Sequence, residues 1–483
     1  MRTVPRILSV LLLIFAAAES GYSQVTNGAG GAGGFGGGFG GGGGGGNNQN
    51  NSSGIRIDAN GIVSLTVAVD GNVGLDKKRR EALAKKHLSQ DLNQRSTLRM
   101  VSLVQLEKQL DSILSQEAPV PDELFYLAGL QRIDHVFVLP DEQDLIIAGP
   151  AEGFVPDPVG RMIGVESTRP TLRLDDLIVA LRTVPRSAQI GCSIDPVPSR
   201  IADLQKFIRQ GVPATQQEVE ARFNQMDDIL GLQDVRIDGV PNDSHFATML
   251  VEADYRMKRI AIGIENPAIK GLKSHLSMLG NGGNVMQRWW FVPFYDAIYR
   301  SEDGLSFQFV GQRAQLLAED EVTDEQGNRS SAATTQKSTH AFARQFTQKF
   351  AQLAEKSPVF AELQNLIDWV MLAALLQQEH IPEQIGWKQS LYLDATRLTY
   401  PTFDTPKQIP SSVSYKRTGN LVVGLVGGGV SIRTQQRLDI VKASEQTASN
   451  LDVARRSATE IQPSPTHSWW WDAPVTEKIQ RRK

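Results

Sequence analysis

Residues Asp234 to Glu265 read DVRIDGV, PNDSHFATMLVEADYRMKR, IAIGIE, and this stretch decides the fold class. Val235 and Ile237 alternate with polar neighbours, as on a half-buried strand. Gly239 and Pro241 punctuate a turn. Asp243 or Ser244 then caps a helix over Asp243–Lys258, with apolar residues recurring at helical spacing. Ile260 to Glu265 reads as a second strand. A strand, a turn, a helix and a strand in so short a space predict an α+β protein with a mixed sheet and packed helices.

The same grammar occurs upstream. Gln189–Asp195 predicts a strand, Ser199–Gln210 a helix and Thr215–Leu230 another helix. Ile194-Asp195-Pro196-Val197-Pro198 matches Ile237-Asp238-Gly239-Val240-Pro241, and after a two-residue insertion Ser199 and Ala202 match Ser244 and Ala247. The match is short: duplication and independent convergence on strand-turn-helix chemistry both account for it.

Working outward, residues 55–321 form an α/β region. IRIDANGIVSLTV (from Ile55) is a strand-turn-strand signal around Asn60-Gly61. Asp76–Leu88 is a basic helix, read as a solvated face with an anion patch as the sharper alternative. Ser102 and Gln105 form a capping box ahead of an amphipathic helix. IDHVFVLP and LIIAGP are strands joined at Asp141–Asp144, and Leu174–Val184 is a short helix. Ala268–Leu279 reads as helix. RWWFVPFYDAIYR and LSFQFVGQRAQLL alternate around Ser301–Gly304 as one long hairpin. Residues 322–337 are a polar loop. A helical hairpin over 338–384 carries Phe342, Phe346, Phe350 and Leu353 at helical spacing, then Ser357 as cap and Pro358 at the first helical position. Residues 385–440 form a β-rich C-terminal part, in which GLVGGGVSI is a glycine-interrupted strand or turn. Residues 441–483 are a polar tail holding Trp469-Trp470-Trp471.

The N-terminus carries an address. Arg2 and Arg6 precede the apolar run Ile7–Ala18, and small residues follow, with cleavage expected after Ser23 or Ala18. Residues 1–23 therefore read as a secretory signal peptide. Residues 24–54 are dominated by glycine and asparagine and form a flexible tether, whose GxGxxG matches lack the strand and helix that a nucleotide site needs. No transmembrane span is expected in the mature chain. Lys plus Arg total 50 against 53 for Asp plus Glu, a net charge of −3, which gives no footprint for nucleic acid. Cys192 is the one cysteine, so no disulfide forms within the chain.

Chemistry is sparse. GxSxG, HExxH, Walker A, CxxC and EF-hand patterns are all absent, and none of the seven histidines has a second three or four residues on, so neither a metal site nor a cofactor is expected. The best catalytic candidates are Asp195 and Asp238, ending equivalent strands as a possible carboxylate pair, with Asp243 and His245 at the helix start. The plainer reading makes the aspartates local turn and cap residues. It makes Glu252–Arg256 and Asp254–Lys258 solvated helix pairs. Trp289 and Trp290, and Trp469, Trp470 and Trp471, are binding candidates if exposed, and core or back-packed residues if not.

DLIIAGPAEGF, CSIDPVPSR, VPNDSHFATMLVEADYRMKRIAIGIE, RWWFVPFYD and HAFARQFTQKFAQLAEKSPVFAELQNL resemble the motifs of an uncharacterised secreted family of planctomycete bacteria, known only as a domain of unknown function. The resemblance covers Ile55 to Ile432. It implies secretion and carries over no activity or site. The expectation is a secreted, non-enzymatic structural or binding protein of the periplasm or cell surface, with a cell-envelope component as partner. The alternative is a hydrolase-like enzyme using Asp195, Asp238, Asp243 and His245.

Overall fold

Two mixed sheets share one apolar core, and a single hairpin runs through both. The computed structural model describes residues 55–57, 63–65, 73–209, 216–279, 286–411, 414–418, 420–460 and 468–473. The expected signal peptide and tether, and the Asn60-Gly61 turn, lie outside the described residues; the strands Ile55–Ile57 and Val63–Leu65 flanking that turn pair antiparallel as expected.

The eight-stranded sheet runs Arg329–Ser331, Arg313–Thr323, Met286–Phe294, Asn420–Arg433, Gln189–Pro196, Leu232–Asp238, Gln408–Pro410, with Ser414–Thr418 folded back on Asn420–Arg433. The seven-stranded sheet runs Ile440–Lys442, Ala297–Arg300, Ser306–Val310, His135–Leu139, Asp144–Ala151, Ser96–Ser102, Trp470–Asp472. Met286–Phe294 pairs parallel with Asn420–Arg433, and Ala297–Arg300 with Ile440–Lys442. The remaining ladders are antiparallel, so the sheets are mixed as expected.

The long hairpin is real, but it bends. Its base pairs Gln287↔Asp320 to Phe294↔Arg313 in the first sheet, and its tip pairs Ala297↔Val310 to Arg300↔Phe307 in the second, in one register. The bend falls where Gly311 takes φ +114°, and a Cβ there would stand 2.5 Å from the Asp296 nitrogen. Glycine is the residue that tolerates both conditions.

Three helices position the site: α1 (Leu174–Thr183), α2 (His245–Ala261) and α3 (Pro358–Gln378). Ser244 caps α2, its Oγ accepting from the Ala247 N–H at 3.1 Å. The expected strand over Ile260–Glu265 is instead the end of α2. Gly263 (φ +77°) closes it, and the Ile264 and Glu265 N–H groups fold back to the Arg259 carbonyl at 3.0 and 3.1 Å. Ala268–Leu279 is helical only over His275–Met278, after Gly271 turns the chain at φ +76°. Helix Lys337–Lys356 meets α3 across Ser357 alone, with Phe346 and Phe350 ringed around Phe360 at 5.7 and 6.0 Å. Ser357 takes the cap position without a side-chain bond. By length and composition α3 could cross a membrane, yet here it is wholly buried in the fold.

Other expectations change. Residues 322–337 include a strand end and the short strand Arg329–Ser331, turned by Asp324, whose carboxylate accepts from Gln326 N and Asn328 N at 2.9 Å. Residues 385–398 are turns, not strand. Glu107 gathers them by accepting from Trp387 Nε1, Leu391 N and Tyr392 N at 2.5, 2.7 and 3.2 Å, which buries their apolar side chains without a ladder. The glycine-rich Asn420–Arg433 is an inner strand between Gln189–Pro196 and Met286–Phe294. A Cβ on Gly429 would meet the Cys192 carbonyl at 2.0 Å, so glycine permits that close approach. The tail folds too: Glu445–Glu460 is helical and Trp470–Asp472 pairs with Ser96–Ser102.

Candidate functional site

Before its terminal Gln377-Gln378, α3 is apolar except for Glu362, Gln364, Asn365 and Asp368, all buried; Glu362, Asn365 and Asp368 follow at three-residue spacing along one side, with Gln364 at its edge. Buried polar groups require partners. Arg161, from the loop before the Met162–Gly164 strand, gives Nε to Glu362 at 2.7 Å and Nη2 to Glu252 of α2 at 2.5 Å. At the other end Asp368 accepts from Arg313 Nε at 3.0 Å, Tyr295 OH at 2.8 Å and Ile133 N at 3.1 Å. Between them Gln364 Oε1 accepts from Arg169 Nη2 at 2.9 Å. Asn365 Nδ2 donates to the carbonyls of Pro170 and Thr171 at 3.5 and 3.3 Å.

His245, the first residue of α2, lies at the centre of the Arg161 end. Its Nδ1 stands 3.0 and 3.1 Å from the two oxygens of Asp176, and its Nε2 3.7 Å from Glu362. Phe403 packs edge-on against the ring at 5.2 Å. Asp176 and Asp175 open α1, and Arg173 holds Asp175 through two bonds of 2.9 and 2.6 Å. The Arg173 guanidinium also lies 5.2, 5.7 and 5.6 Å from the rings of Phe125, Tyr126 and Phe403.

Electrostatics follow from this packing. Burial and the Arg173 charge press the His245 pKa down, but Asp176, through charge and hydrogen bond, and the nearby Glu362 carboxylate outweigh them and lift it to about 9. Burial raises Asp176 as well, so the pair keeps a shared proton at neutral pH. Burial would raise Glu362 too; the Arg161 charge and the nearby His245 imidazolium override it and bring Glu362 down to about 2. Asp175, Asp176 and His245 offer donor atoms within 4.8 Å of one another, a spacing a metal ion could use. In this structure Arg173 already pairs with Asp175, and the proton shared by Asp176 and His245 fills the role of a second cation.

Of the catalytic candidates from sequence, His245 alone enters this cluster; Glu252, read as half of a solvated helix pair, enters it through Arg161. Asp195, Asp238 and Asp243 do not converge on it. Gln189–Pro196 and Leu232–Asp238 pair antiparallel, so the ends of the two similar strands point opposite ways. Asp195 faces Asp234 in register, while Asp238 faces Gly191 at the far end. Asp195 is held by Arg329 at 2.8 Å, and Asp238 and Asp243 are exposed. The α2 pairs exist, Arg256–Glu252 at 3.9 Å and Lys258–Asp254 at 2.8 Å, but Asp254 and Lys258 are buried rather than solvated. α2 packs on the eight-stranded sheet on one side and on α1 and α3 on the other.

Trp289, Trp469, Trp470 and Trp471 are buried and Trp290 is half-buried, so these aromatics form no exposed strip. Trp289 contacts His275 and Phe342 edge-on at 4.9 and 5.2 Å, and Trp470 stacks under the buried Arg99, 4.6 Å from its guanidinium. The sequence reading missed Asp176, Glu362 and Arg161. The signal was present for Glu362: Glu362, Asn365 and Asp368 recur every third residue inside a helix whose body is otherwise nearly all apolar.

The fold and cluster define an α+β protein whose main helix is seated on buried ion pairs. A family described as "Protein of unknown function (DUF1598)" matches residues 192–275, from the Gln189–Pro196 strand through α2. That span contains His245 and Glu252 but not Asp176, Arg161 or Glu362. Comparisons with curated proteins and with solved structures find no match.

Proposed function

We propose that this is a non-enzymatic structural or binding protein, exported across the cytoplasmic membrane and working at the cell envelope. One observation carries the non-enzymatic part: both ring nitrogens of His245 face buried carboxylates. The ring is buried with both nitrogens turned toward acids rather than solvent, and the raised pKa keeps it charged where a general base must be neutral. The hydrolase reading needs Asp195, Asp238 and Asp243 near His245, and their placement gives it no support.

The export part rests on the sequence alone, through Arg2, Arg6 and the apolar run Ile7–Ala18. Fractionation of cells carrying the full chain is expected to place the mature protein in the envelope fraction, with an N-terminus at Gln24 or Glu19. Cytoplasmic, uncleaved protein refutes export. Hydrolytic turnover that His245→Gln abolishes in a folded protein refutes the non-enzymatic reading.

A further inference from the structure

Three arginines meet the polar face of α3, and one of them lacks what the other two have. Arg161 pairs with Glu362 and Arg313 with Asp368, but Arg169 meets the neutral amide of Gln364. That amide is fixed: Gln364 Nε2 donates to the Gln312 carbonyl at 2.8 Å, so Oε1 faces the guanidinium. Arg169 Nε is buried and makes no hydrogen bond to the described residues. Asp134, which binds Arg132 at 2.8 Å and Arg313 at 3.0 Å, and the exposed Glu355 act on Arg169 only at a distance. Arg132, Arg169 and Arg313 thus have two bonded aspartates between them, Asp134 and Asp368, and the remaining acid that acts on Arg169, Glu355, is exposed and screened by solvent, which leaves one positive charge without a bonded partner. Burial, and then the Arg132 charge, bring the Arg169 pKa down to about 10, the direction expected of a cation without its counter-charge.

The backbone presents this group firmly. The Arg169 N–H donates to Ser167 Oγ at 3.1 Å, and its carbonyl accepts from Gly164 N at 2.8 Å. Thr171 N donates to the Met162 carbonyl at 3.1 Å, so Arg169 and Thr171 lie on the same side of an extended segment. Thr171 Oγ1 is buried and likewise has no partner among the described residues. Arg169 is half-buried, and Arg132, whose charge acts on it, has 43% of its side chain exposed.

We propose that Arg169, with Thr171 two residues on along the same side of the segment and the part-exposed Arg132 adding positive charge, binds a small carboxylate anion. The planar Nε–Nη edge of a guanidinium matches a planar carboxylate, and one negative charge cancels the one in excess. The anion has two sources, a free organic acid or the C-terminus of a peptide. This site is separate from the His245 cluster and does not depend on the non-enzymatic reading.

The test uses the full mature chain in chloride-free buffer at neutral pH, with calorimetry and thermal melts against acetate, a tripeptide of alanine, its C-terminal amide and inorganic phosphate. Acetate is expected to bind saturably and raise the melting temperature. Gln364→Glu keeps size and shape and supplies the carboxylate internally. It gives up the Gln364 Nε2 bond to the Gln312 carbonyl, so the binding arm decides: it is expected to bind acetate about tenfold or more weakly than wild type. Arg169→Gln should also lose binding; if it fails to fold, Gln364→Glu still decides. Tripeptide binding that the amide lacks assigns the site to peptide C-termini, and acetate binding without tripeptide binding assigns it to free acids. Phosphate binding without carboxylate binding, no carboxylate binding at all, or equal acetate affinity in Gln364→Glu overturns the proposal.

Discussion

His245 and Asp176, far apart in the chain, meet with Nδ1 3.0 and 3.1 Å from the two carboxylate oxygens, both residues buried. The contact joins the first turns of α1 and α2 around a proton, and Glu362 of α3 lies on the other side of the ring at 3.7 Å. Three helices are therefore tied by one imidazole.

This predicts a stability profile that falls on the alkaline side. The folded-state pKa of His245 is about 9 against 6.5 for the free side chain, so folding tightens proton binding. The stabilisation is complete below pH 6.5 and is lost as pH rises through about 9. Melting temperatures followed across that window should fall in wild type and stay flatter in His245→Gln. Equal slopes in the two proteins would refute the role given to His245.

Glu362 acts on the acid side. Its pKa is brought down to about 2 from 4.5, so its contribution is present above pH 4.5 and fades as pH falls toward 2. Glu362→Gln leaves Arg161 buried with Glu252 alone and removes the second acid beside His245. The expected loss is about 3–5 kcal/mol by urea unfolding, the range for breaking one side of a buried ion pair. A loss below about 1 kcal/mol, the range of exposed pairs, would show that solvent already compensates Arg161.

Gly429→Ala tests the inner glycine strand. The added Cβ would lie 2.0 Å from the Cys192 carbonyl, and in Gly191→Ala it would lie 1.9 Å from that of Val430. Each change forces the two strands apart and should cost about 1–3 kcal/mol or more. Wild-type unfolding midpoints for both variants would place these strands farther apart than described.

Trp470→Ala tests whether the tail belongs to the core. Trp470 is buried against Arg99, which gives Nε and Nη2 to Asp472 at 2.8 and 3.0 Å. Truncation should cost about 3–5 kcal/mol and make the chain cleavable beyond Glu460 in limited proteolysis. Unchanged stability and protease resistance would detach the tail from the fold.

Local chemistry was legible in the chain. The Ser102 and Ser244 caps, the phenylalanine spacing from Phe342 to Phe350, the Ser301–Gly304 hairpin and the α+β class all follow from neighbours within a few residues, because caps, turns and periodicity are short-range effects. Even so, Ile260–Glu265 read as strand, since a buried helix end and a short strand look alike until a Schellman-type turn at Gly263 is seen.

What required the tertiary structure was every relation between distant segments. Asp195 and Asp238 look equivalent in sequence, and antiparallel pairing alone puts them at opposite ends of a ladder. The triple tryptophan looks like an exposed tail until its strand finds the edge of Ser96–Ser102. His245 looks like an ordinary first-turn residue, yet its partners come from α1 and α3, a long way off along the chain. The sequence by itself determined the local elements and their caps, because those energies act over one or two turns. The fold alone decided which charges are buried together, because that depends on which helices pack, and each such pair stands only where packing removes the water that would otherwise screen it.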